Sequence, residues 1–138
     1  MSSSTTKLRT QKVGAQNINA VADVNFTVGA EATNVINVVC QAVDADGNDV
    51  DEAVCLPYYL SGDSAGQTIG TAHSSAPAVG TDGLLIPSGG DSSLTGLAMF
   101  ETDGDLDIDF TDTGTGTVYL CIVLPTGDVA ISGAITHA

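Results

Sequence analysis

The sequence predicts an all-β protein: an antiparallel immunoglobulin-like β-sandwich of seven to eight strands with an extended N-terminal arm. Apolar residues recur at every second position in short runs, the period of a strand with one buried face. Clusters of Gly, Asp, Asn and Thr punctuate those runs, and no stretch keeps a helical period over a useful length. Gly, Thr, Val, Ala and Asp dominate, with no Trp, three Phe and three Tyr, a mixture that suits short strands joined by tight turns. The 138 residues are enough for one domain with a real core, divided here into an arm over 1–22 and a sandwich over 23–138.

In the first strand, 24–28, Val24, Phe26 and Val28 alternate with polar neighbours, and Gly29 ends it. The second, 34–43, sets Ile36, Val38, Cys40 and Ala42 on one face and Asn37, Val39, Gln41 and Val43 on the other, which predicts burial on both sides. Asp44-Ala45-Asp46-Gly47-Asn48-Asp49 supplies side chains that bond their own backbone and a Gly suited to positive φ, so a turn follows. The chain is expected to return over 50–60 as the partner of a hairpin. Val54, Leu56, Tyr58 and Leu60 share one face there, and Pro57 suits an edge or a bulge. Residues 61–93 read as Gly/Ser/Thr-rich loops around one short strand at the apolar Gly83-Leu84-Leu85-Ile86-Pro87. Strands at 97–101, 105–110, 117–124 and 129–136 complete the set.

Charge is divided sharply. Lys7, Arg9 and Lys12 are the only cations, and all 17 acids lie between Asp23 and Asp128, for a net charge of −14. Such a body repels a phosphate backbone, so nucleic acid is not an expected partner. There is no signal-peptide core and no membrane-length apolar run, so the reading is a protein made in the cytoplasm with no membrane partner. The basic arm is a candidate anchor, with Lys7, Arg9 and Lys12 as its partner-binding residues.

Cys40, Cys55 and Cys121 are odd in number and lie in strand-like runs, which reads as buried thiols. A Cys40–Cys55 bridge across a hairpin turning at Gly47-Asn48 is the competing reading. The acids from Asp44 to Glu52 invite calcium, but Gly47 stands fourth and Glu52 ninth, where an EF-hand needs its Gly sixth and its Glu twelfth. A solvated turn is therefore preferred. Asp105, Asp107 and Asp109 alternate with Leu106, Ile108 and Phe110, which predicts an exposed carboxylate face that discourages edge pairing or meets the basic arm of a neighbouring copy. His73 and His137 are the only imidazoles and are expected at the surface. No nucleophile–base set, metal ligand set or cofactor motif is singled out, so no enzyme is expected. Tyr119 is assigned a corner-type hydrogen bond.

Several segments resemble a family of small tailed-phage proteins: Val28-Gly29-Ala30-Glu31-Ala32, Asn34-Val35-Ile36-Asn37-Val38, Tyr59-Leu60-Ser61, Gly80-Thr81-Asp82-Gly83-Leu84-Leu85-Ile86-Pro87, and Asp103-Gly104-Asp105-Leu106-Asp107-Ile108. The closing segments are similar too, in Tyr119-Leu120, Val123-Leu124-Pro125, Gly127 and Ser132-Gly133-Ala134-Ile135-Thr136. The family usually has an aromatic where Val118 stands, and commonly ends in Thr-Phe-Ala where His137 stands. The resemblance implies a virion structural protein: a decoration or cement protein on the outside of the phage head. Its partners would be the major capsid protein and further copies of itself, as a trimer or dimer, and its work capsid stabilisation. The alternative expectation is a fibre, tail or surface adhesion module that binds host glycan or protein through loops 61–93.

Overall fold

The two-residue alternation becomes two packed faces. A computed structural model describes residues 21–88 and 94–138, and those residues form antiparallel strands without a helix, so none is long and apolar enough to cross a membrane. The ten strands are β1 (Asp23–Val28), β2 (Val35–Val43), β3 (Val54–Ser61), β4 (Ala78–Val79), β5 (Leu84–Ser88), β6 (Thr95–Phe100), β7 (Asp105–Thr111), β8 (Gly116–Val123), β9 (Val129–Ile131) and β10 (Ile135–His137). The excess over the expected set comes from the two-residue β4 and from the division of the expected 129–136 strand into β9 and β10.

The smaller sheet runs β1-β2-β7-β4 and the larger β9-β8-β3-β6-β5, with β10 also paired to β8. Between them lies one core. Val24, Ile36, Val38, Cys40, Ala42, Leu106, Ile108 and Phe110 enter it from the smaller sheet; Leu56, Tyr58, Leu60, Ala98, Phe100, Leu120 and Ile122 enter from the larger. Each large side chain so buried contributes about 1.5–3 kcal/mol. Only the inner face of β2 is fully covered: Val39 is 46% exposed and Asn37 and Gln41 half-buried, so burial on both sides is corrected.

The predicted turn forms. Asp44 N–H donates to Asn48 O, Gly47 adopts φ of 84°, and Asp44 Oδ1 accepts the N–H groups of Asp46 and Asn48 at 2.9 and 3.0 Å. The hairpin does not follow. After a single bridge from Val43 to Asp49, Val50 sinks into the core and the chain crosses to the other sheet, where β3 pairs with β6 and β8. Cys40 therefore faces Phe26 and Leu106, while Cys55 faces Met99, and all three thiols are free. Of the three, Cys55 is exposed, which also corrects the expectation that every thiol is buried.

Pro57 lies in a central strand and still gives up no ladder bond. Leu60 N–H points to Leu94 on the β6 side, so alternation turns the odd positions towards β8. The β3–β8 pairing begins only at Tyr58.

Candidate functional site

Three neighbourhoods carry unusual groups, and the two sheets present different outer surfaces. On the larger sheet, register aligns Ile86, Leu97 and Pro57 in one row and Leu84, Met99 and Cys55 in the next. Leu84, Ile86 and Leu97 are 49%, 50% and 43% exposed. The other half of this surface is covered by the chain after β3. Ser61 Oγ bonds Thr68 O at 2.8 Å and Tyr59 Oη bonds Gly66 O at 2.7 Å, placing Gly66 over Cys121 and Ile131. Tyr59 thus makes the kind of bond expected of Tyr119, whose hydroxyl has none among the described residues. At the rim, Ile69, Ile86, Pro57, Leu97 and Val123 line an open, mainly apolar groove of about 560 Å³.

The smaller sheet turns carboxylates outward, but β7 lies between β2 and β4, so the edge-guarding role is corrected. Asp107 is buried rather than exposed. Its Oδ1 accepts the N–H groups of Thr81 and Asp82 at 2.9 and 2.6 Å, and its Oδ2 the Asn37 amide at 2.8 Å. Asn37 also bridges to Asp109 at 2.8 Å. Burial alone would raise the Asp107 pKa, but the bonds from Asp82, Asn37 and Thr81 outweigh it and hold the carboxyl below its ordinary range. Asp105 is pushed up, first by burial and then by Asp103.

The third neighbourhood overturns the surface assignment of both histidines. His73, in the β3–β4 connection, is 7% exposed and His137, in β10, is 1% exposed. Their rings meet edge-on with centroids 5.0 Å apart, and His73 also packs edge-on against Phe110 at 6.0 Å. Asp112, just past β7, completes the group, with one ligating atom of each residue within 4.8 Å of the others. Ser74 and Gly114 N–H bond Asp112 Oδ1 at 3.3 and 3.0 Å, and Thr113 N–H bonds Ser74 Oγ at 3.0 Å, so the connection carrying His73 is laced to the β7–β8 turn. Burial lowers the His73 pKa, with Asp112 opposing and His137 adding to the fall. The Asp112 pKa is lowered, chiefly by the Gly114 N–H.

Lys7, Arg9 and Lys12 lie outside the described residues. The histidine cluster is not legible in the sequence because neither His has a ligand-like neighbour at metal spacing; the alternation of β10, with Ile135 and His137 on one face, is the available signal. The fold and the site together define an all-β sandwich with one apolar outer face and a pair of buried histidines beside a half-buried Asp112. Comparison with protein-family models, curated proteins and solved structures finds no match.

Proposed function

We propose that the chain is a non-catalytic decoration or cement protein of a tailed-phage head, binding the major capsid protein on the outer surface of the shell. The arm from Met1 to about Gln16 is the anchor, in which Lys7, Arg9 and Lys12 steer and fix register. Val21, buried in the core, and Ala22, whose N–H bonds Val43 O, already belong to the sandwich, which corrects the expected arm boundary at 22. The observation that carries this reading is the contrast between the outer faces: exposed Leu84, Ile86 and Leu97 on one sheet and the half-buried carboxylates of Asp105 and Asp109 on the other. A body of net charge −14 with one apolar side is suited to lie apolar side down on a protein surface and acidic side to solvent. Repetition on a shell makes weak single contacts collectively tight.

The test is reconstitution on particles purified without the chain. Full-length protein is expected to bind, and deletion of residues 1–12 is expected to abolish binding while leaving the circular dichroism of the body intact. Binding retained by the deletion rejects the arm as anchor. The groove beside Ile69, at the start of the loops, favours the adhesion reading, which instead predicts that residues 21–138 alone bind a glycan array or host cells.

A further inference from the structure

We infer that His73, Asp112 and His137 bind one divalent transition-metal ion of the zinc class, which fastens the C-terminal strand to the sandwich. Two imidazoles and a carboxylate are a donor set that Zn²⁺ takes. Both histidines are more than nine-tenths buried, and Nδ1 of each is buried without a hydrogen-bond partner. Such nitrogens are unfavourable in a packed interior unless something satisfies them.

The tautomer of His137 follows from its surroundings. Its Nε2 lies 3.1 Å from Phe110 O, and a carbonyl can only accept, so Nε2 carries the proton and Nδ1 the lone pair. An imidazole with one nitrogen bonded to a backbone carbonyl is held in the orientation that metal-ligating histidines adopt. Both backbone bonds to Asp112 fall on Oδ1, which fixes the carboxylate and leaves Oδ2 without a donor among the described residues. Tetrahedral bonds of about 2.1 Å separate ligand atoms by about 3.4 Å. The donors here lie within 4.8 Å, so rearrangement on the order of 1 Å closes the site. A cavity of about 100 Å³ lined by Thr71, Thr115 and Thr117 adjoins it and has room for a fourth, water ligand.

The consequence is structural. His73 belongs to the β3–β4 connection, Asp112 follows β7 of the smaller sheet, and His137 belongs to β10 on the larger. One ion would cross-link three segments distant in sequence and join the two sheets at their C-terminal corner, restricting the unfolded chain as well as holding the folded one.

The experiment uses chelator-treated full-length protein carrying Cys55→Ser, which removes the exposed thiol as a competing ligand, titrated with ZnCl₂ by calorimetry and followed by thermal unfolding. One ion per chain is expected, with the midpoint rising about 8 °C at a hundredfold excess over the dissociation constant. Co²⁺ should give the visible absorption of a tetrahedral N/O site. Asp112→Asn, which keeps the Oδ1 acceptor and hence the fold, should weaken binding at least tenfold while its metal-free midpoint stays near that of the metal-free parent. His137→Phe should abolish binding; where it fails to fold, Asp112→Asn decides alone. No heat and no midpoint shift at millimolar Zn²⁺, or binding unchanged in Asp112→Asn, overturns the site.

Discussion

A thiol in this protein is governed by the face of the strand it occupies and by what lies over that face. Cys40 points into the core, where burial and then the Asp107 charge push its pKa up to about 12. Cys121 points outward yet is buried beneath the chain around Gly66, and burial raises its pKa too. Cys55 also points outward and is exposed among the described residues. Because the thiolate is the reactive form, maleimide should add once to the native protein and three times after unfolding, read by intact mass; a native protein with no reactive thiol would restore the Cys40–Cys55 bridge. Backbone strain is equally local. Thr33 and Asn34 join β1 to β2 with φ of 53° and 68°, a left-handed pair that a β-branched side chain resists and Asn tolerates. Thr33→Asn should therefore stabilise by about 0.5–1 kcal/mol in urea unfolding, and a lower midpoint would contradict that account.

At the scale of elements, Asp107 fastens the crossing from β4 to β5. The Gly80 N–H donates to Asp107 O, Asp107 N–H donates to Asp82 O, and the carboxylate gathers the N–H groups of Thr81 and Asp82. A Cβ at Gly80 would collide with that carboxylate, so glycine here answers a close approach. Asp107→Asn would turn an amide donor towards donors already in place and should cost about 2 kcal/mol. The folded pKa of Asp107 lies below the ordinary 3.8. Its contribution is therefore fully present above that value and is lost as pH falls through the folded pKa. Acid unfolding should show a steeper loss below about pH 4 in the parent than in Asp107→Asn; parallel curves would remove Asp107 from that role.

For the whole molecule, the two outer faces divide the labour. The apolar rows on β3, β5 and β6 suit contact with another protein, and the partly exposed Asp105 and Asp109 on β7 suit water. The His-His-Asp group sits at neither face but at the corner where β10 meets the end of β7, so the proposed docking and the proposed metal site fail or stand independently. Reconstitution on particles reads the first and Zn²⁺ calorimetry the second.

The strands β1, β2, β3, β7 and β8 were legible in the sequence because alternation is a property of neighbours, and so was the Asp44–Asn48 turn, whose bonds close within five residues. Which strands pair was not legible. The turn after β2 looks like a hairpin turn, and only the burial of Val50 and the fit of β3 between β6 and β8 send the chain across. The same holds for the site: a Gly/Ser-rich loop and a penultimate residue give no local reason for His73 and His137 to be buried. The chain's own order thus determined local geometry, the inward faces and the charge division. Tertiary structure alone decided sheet membership, the burial of Asp107 and the meeting of the histidines, because long-range burial chooses among arrangements that local periodicity leaves equally open.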